Sequence, residues 1–193
     1  MKKCICIVLL LALLLTGCAQ NTSTSGMKAL HDSTTGMGLY YPREWTPTTF
    51  STGSIQIASP KEGSLDPFLE LVTISISNAD IDGEITLDQC VASARASIQK
   101  QAGMQNITFN SASLQDITFV GNAGKELVLC ANFNGRLVKL YQALTIIENR
   151  VIIYTFMALV DEYDRYELPR NLIRDNITYK KPVASPSATF LFR

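Results

Sequence analysis

The sequence predicts an α+β fold, a mostly antiparallel sheet flanked by helices, and three patterns predict it. Short β-branched runs alternate apolar and polar side chains, the period of a half-buried strand. Two stretches, one central and one near the end, switch to the helical period. Two tight turns, Asn134-Gly135 and Glu148-Asn149-Arg150, join three long apolar runs into successive hairpins, which makes an antiparallel meander. Strands, a helix, more strands and a last helix put helices over such a sheet.

Taken in order, 38–41 is a short aromatic strand stopped by Pro42, which cannot donate to a ladder. Residues 54–59 carry Ile55 and Ile57 on one face. Residues 69–77 set Leu69, Leu71, Thr73 and Ser75 opposite Glu70, Val72, Ile74 and Ile76. Over 86–101, Leu87, Val91, Ala94 and Ile98 recur at helical spacing, Thr86 and Asp88 suit the helix start, and Gly103 ends it. Strands follow at 107–110, 114–120, 125–133, 137–147 and 151–159, with Gly121, Gly124 and Gly135 expected at turns. The final helix begins at Asp161, where acidic residues suit the N-terminal dipole. Tyr163, Tyr166, Leu168, Leu172 and Ile173 share its inner side, and Pro169 should kink or divide it.

The order of these signals resembles that of PsbP-like domains. Tyr40-Tyr41-Pro42 followed by Trp45 is similar to their strand, proline, tryptophan opening, and a helix such as 87–98 comes next. The run Val120-Gly121-Asn122-Ala123-Gly124 then leads into long hairpins, and a short strand closes the domain at 176–179. The resemblance covers residues 28–180 and implies an α/β/α sandwich with a central antiparallel sheet. It implies much less about function. The family includes photosystem II extrinsic subunits, a Ran-binding nuclear import factor and many bacterial lipoproteins of unassigned role, and no residue here matches a photosystem or Ran contact.

The start of the chain points to an address. Lys2 and Lys3 precede an apolar run from Ile5 to Leu15, in the manner of an export signal, and 11 residues are too few to span a bilayer. Leu15-Thr16-Gly17-Cys18 resembles the lipobox cut by lipoprotein signal peptidase. That resemblance implies a signal peptide over 1–17 and a diacylated or triacylated Cys18, and two or more acyl chains suffice for stable anchoring. Residues 18–27 then hold the lipidated cysteine and a small, polar tether, on the order of 15 Å in coil span. Residues 181–193, with Pro182 and Pro186, read as a loose tail. The protein is therefore expected on the extracytoplasmic side of the cell membrane or, in a Gram-negative cell, on the outer membrane, since Ala19 is not the aspartate that commonly retains lipoproteins in the inner membrane.

Composition narrows the partners. The chain carries 17 basic and 17 acidic residues, and loss of Lys2 and Lys3 leaves it at −2. Without a basic cluster, neither nucleic acid nor a polybasic membrane patch is expected. Once Cys4 and Cys6 leave with the signal and Cys18 takes lipid, Cys90 and Cys130 remain. Two readings stay open for them, a disulfide permitted by export or two small buried hydrophobes.

No catalytic, cofactor or metal set stands out. The single histidine, His31, is followed by Asp32 and Ser33, but a triad is built from separate loops rather than from sequence neighbours, so a surface turn is expected. Asp80-Ile81-Asp82-Gly83 lacks the closing glutamate of a calcium loop, and Asp161, Glu162 and Asp164 read as helix-end charge. Trp45 is expected in the core, with Tyr40, Tyr41 and Phe50 left open as a contact surface. The expected function is a membrane-tethered protein-binding or assembly module whose envelope partner is unidentified. The alternative is a carrier of a small or lipid-like ligand between sheet and helix, which a sizeable apolar cavity would favour and a filled core would not. An envelope hydrolase is disfavoured.

Overall fold

The computed structural model describes residues 25–50, 53–63, 68–78, 85–109 and 113–182. The leader, Cys18, most of the tether, the Asp80 and Asp82 pair and the tail from 183 lie outside the described residues. The antiparallel α+β architecture is the one the sequence predicts, divided over two sheets. Strands β1 (Met27–Asp32), β2 (Met37–Pro42) and β11 (Thr178–Tyr179) form a small sheet in the order β1-β2-β11. The large sheet runs β3 (Thr46–Phe50), β4 (Ser54–Ala58), β5 (Leu71–Asn78), β10 (Arg150–Leu159), β9 (Arg136–Ile147), β8 (Asn122–Phe133), β6 (Met104–Phe109). Strand β7 (Gln115–Phe119) pairs with the first part of β8. Helices α1 (Leu87–Lys100) and α2 (Glu167–Asp175) complete the domain.

Local chemistry sets these elements as expected. Asn134 and Gly135 turn β8 into β9 at φ 50° and 78°, and Glu148 and Asn149 turn β9 into β10 at 49° and 62°. Two consecutive positive φ values match the right-handed twist of the flanking strands. Thr86 caps α1 reciprocally with Gln89: Gln89 N donates to Thr86 Oγ1 at 3.3 Å, and Thr86 N donates to Gln89 Oε1 at 2.8 Å. Lys125 on β8 pairs with Asp116 at 2.7 Å and Asp88 at 3.8 Å, holding the start of α1 toward β8. Strands β1 and β3 were not expected. Both are edge strands with few buried apolar side chains, and β3 carries Pro47, which only an edge tolerates.

The period-two pattern divides the large sheet into two faces with separate cores. One face packs Ile57, Val72, Ile152, Tyr154 and Phe156 against β2, α2 and a 3-10 turn at Tyr163–Tyr166, with Trp45 buried among them as expected. The other face presents Leu127, Leu129, Leu140 and Met157 to Val91, Ala94 and Ile98 of α1. Two expectations are corrected here, and a third, that Pro169 should kink or divide the last helix, holds. Gly124 lies inside β8, not at a turn, and a Cβ there would come within 2.5 Å of Leu144 O. Leu168 points outward, 69% exposed, and the inner side of α2 instead buries Arg170 beside Ile173. The last helix is divided ahead of Pro169, which sits in the first turn of α2, where a missing N–H costs nothing.

Cys90 and Cys130 are free thiols. Cys90 packs in the α1 core, whereas Cys130 alternates with Leu129 and Ala131, which face that core, and so points to the opposite side of β8. With the sheet between them, no bridge joins the pair. Of the aromatics left open, Tyr41 is buried, and Tyr40 and Phe50 are each 41% exposed.

Candidate ligand-binding site

The two faces of the large sheet are not equally covered. Helix α1 packs mainly on β6, β8 and β9. Between the helix and strands β10, β5 and β4 lies a cavity of about 650 Å³, within the span of small-molecule sites. Of the helix residues that border it, Cys90, Ser93, Ala94 and Ser97 are small, and Ile98 is the one large side chain. Larger side chains there would close the gap.

Its floor has a polar row that strand register builds. Gln142 on β9 stands opposite Thr155 on β10, Thr155 opposite Thr73 on β5, and Thr73 opposite Gln56 on β4. All four side chains line the cavity. Aliphatic side chains flank the row, with Leu71, Leu140 and Met157 to one side and Val151 and Ile153 to the other. Among the described residues, the lining carries no charged and no aromatic side chain.

Gln142 is the informative member. It is 5% exposed, and its Nε2 donates to Thr155 Oγ1 at 3.0 Å. Its Oε1 is buried with no hydrogen-bond partner in the protein. A buried acceptor left unmet costs roughly 1–3 kcal/mol, and the residue that carries it lines the cavity.

The opposite face holds the larger core, and several of its polar groups are committed to one another. Tyr154 Oη donates to Arg170 O at 2.9 Å inside the core. The Arg170 guanidinium lies over the rings of Tyr163 at 4.7 Å and Tyr141 at 5.2 Å. Arg174 Nη1 donates to Tyr141 Oη at 2.8 Å, and Tyr141 Oη donates to Glu126 Oε2 at 2.6 Å. Burial, then the bond to Glu126, pushes the Tyr141 phenol well up, and burial pushes Tyr163 up to about 12. A second hollow of about 490 Å³, between the β7–β8 turn and β11, includes Arg174 and Asp175, which pair with each other at 2.6 Å. Tethering α2 to the sheet accounts for this network.

The other residues singled out by sequence are scattered. His31 is exposed on edge strand β1. Asp32 bends the chain that follows, accepting from Thr34 N at 3.0 Å and Thr35 Oγ1 at 2.7 Å. Asp164 pairs with Lys139 at 3.6 Å. Among the described residues, no three His, Cys, Asp or Glu side chains gather as a metal site, and no helix is long and apolar enough to cross a membrane.

Solved structures share this fold over most of the chain. The solution structure of cyanobacterial PsbP from Synechocystis sp. PCC 6803 superposes with a TM-score of 0.60 at 11% identity, over 86% of this chain and 99% of that one. The fold is PsbP-like. LpqN of Mycobacterium tuberculosis, described as involved in cell envelope biogenesis, superposes on the same PsbP-like domain at 0.57 with 18% identity, over 80% of this chain and 91% of LpqN. The Ran-binding protein Mog1p of Saccharomyces cerevisiae does so at 0.54 with 10% identity, over 79% and 95%. No protein-family model and no curated protein sequence matches the chain. At these identities the likeness establishes the fold.

Proposed function

We propose that this PsbP-like domain is an envelope-tethered binding module that holds a small or lipid-like ligand between α1 and the large sheet. Of the two functions expected from sequence, protein assembly and ligand carriage, the second gains a specific observation. That observation is the cavity of about 650 Å³ on the α1 face of the large sheet. Burying apolar ligand surface at about 25 cal/mol per Å² is a sufficient driving force for binding there. The Leu15–Cys18 motif supports an acyl anchor on Cys18, and the fold shared with LpqN supports an envelope setting. Among the described residues, no nucleophile and base pair at the cleft, which supports a reading of binding without turnover.

Two measurements test it. The neutral fluorophore N-phenylnaphthylamine should bind the purified protein with enhanced emission, and Ser97→Trp or Thr73→Trp, which fill the cleft from opposite walls, should abolish that signal. Equal binding by wild type and both variants, or none by wild type, overturns the cleft as the site. The anchor is tested by Cys18→Ser, which should release the protein from membranes and change its gel mobility. An unchanged membrane fraction overturns acylation at Cys18.

A further inference from the structure

The cleft stands close to the point where the chain leaves the described fold. Lys180 N donates to Gly36 O at 2.9 Å, and Gly36, at φ 78°, lets the Lys180 carbonyl approach where a Cβ would collide with it. Lys181 Nζ then pairs at 3.4 Å with Glu148 Oε2, in the tight turn between β9 and β10. That turn also marks one end of the cleft, because Val151 on β10 and its partner Ser77 on β5 line the cavity there, together with Asn78. Only three residues separate Glu148 from Val151, so the two lie within about 10 Å of each other.

The segment that follows has the length and the chemistry to fill this space. Residues 183–193 lie outside the described residues, and their sequence is small and polar up to Thr189, then apolar through Phe190, Leu191 and Phe192. Phe190 stands eight residues past Pro182, a reach of up to about 26 Å. The cavity extends along β10 from Val151 to Met157, about 20 Å at the rise of a strand. Its walls mix aliphatic side chains such as Leu140 and Ile153 with hydroxyls such as Ser75 and Ser77, and the segment carries the same mixture. We propose, building on the cleft being the binding site, that the chain's own tail closes it: Phe190, Leu191 and Phe192 seat in the cavity along β10, and an outside ligand binds by displacing them.

Tethering favours this occupant over one from solution. A segment joined to its site by a short linker of matching span meets it at an effective concentration on the order of 1 mM. Even a contact whose untethered dissociation constant is about 0.1 mM then stays closed about nine-tenths of the time. An outside ligand in turn binds about tenfold more weakly than it binds the bare cleft.

Two variants of the full-length protein test this, one ending at Thr189 and one carrying Phe190→Ser with Phe192→Ser; both leave every core residue in place. Methyl NMR reads the seat of the tail. Among the described residues the cavity lining has no aromatic ring, so rings seated there displace the methyl signals of Ile153 and Met157. Both variants should move those signals and leave the Ile152 signals, which belong to the opposite face, unchanged. N-phenylnaphthylamine reads the competition, and it should bind both variants about tenfold more tightly than the unaltered chain. Ile153 and Met157 signals common to all three proteins, or equal probe affinity for them, overturns the tail as occupant. Methyl displacements that grow with protein concentration overturn it as well, because a second copy then supplies the rings. Methyl differences with no probe bound by any of the three support the seat of the tail and strike at the cleft as a ligand site, so the two failures are told apart.

Discussion

Ile152 and Ile153 are neighbours on β10, chemically identical, and they point into opposite faces of the same sheet. Ile152 is 0% exposed and packed within the filled core under α2, whereas Ile153 is half-buried and borders the cleft. Truncation to alanine removes the same three carbons from each. At full burial their transfer is worth about 2.5 kcal/mol, at roughly 0.8 kcal/mol per methylene. Ile152→Ala also leaves a void in close-packed surroundings, which brings the expected loss to about 3–4 kcal/mol. Ile153→Ala loses about half the transfer term and only enlarges a cavity that is already open, so about 1–1.5 kcal/mol is expected. The difference of about 2 kcal/mol should appear as separated urea midpoints at unchanged slope. In thermal melts the two variants should stand apart by about 4–8 °C for a domain of this size. Equal losses would mean that Ile153 is as tightly enclosed as Ile152, and the cleft, with every functional statement built on it, would be wrong.

Two further outcomes follow from the side chains on either face. Burial raises the pKa of Cys90, and the sheet separates it from half-buried Cys130. Alkylation of the unfolded protein should therefore give the same mass with and without reductant, and in the folded protein Cys130 should react well before Cys90; thiols that label only after reduction refute this. Tyr163 is pushed from 10.0 up to about 12 by burial, and Tyr141, Tyr154 and Tyr166 are raised in the same direction. The folded state holds these protons more tightly than the unfolded chain. Their contribution is therefore complete below pH 10 and is lost as pH rises through about 12. Urea midpoints that stay level across that window, with tyrosinate absorbance already developed in the folded protein, would contradict the buried cluster.

Most of the large sheet was legible because its signals are local. Asn134-Gly135 and Glu148-Asn149 fix two hairpins through backbone conformations that few residues adopt, Thr86 and Gln89 mark a helix start within one turn, and period-two runs mark strands. The edge strands β1 and β3 escaped because an edge buries little, so its sequence keeps no apolar alternation. Arg170 in the core escaped for a related reason. A guanidinium over aromatic rings is a stable buried arrangement that no hydropathy pattern records.

What the amino-acid sequence determined unaided was the run of elements, the antiparallel pairing they imply and, in the Leu15–Cys18 motif, an expected envelope address. The cleft was decided only in three dimensions. Gln56, Thr73, Gln142 and Thr155 are far apart along the chain and each looks like an ordinary polar residue in a strand. Register alone brings them into one row, and the position of α1, packed mainly on β6, β8 and β9, leaves a cavity over it. Pairing depends on partners distant in sequence, and cover depends on where a helix comes to rest, so neither is written in any local window of residues.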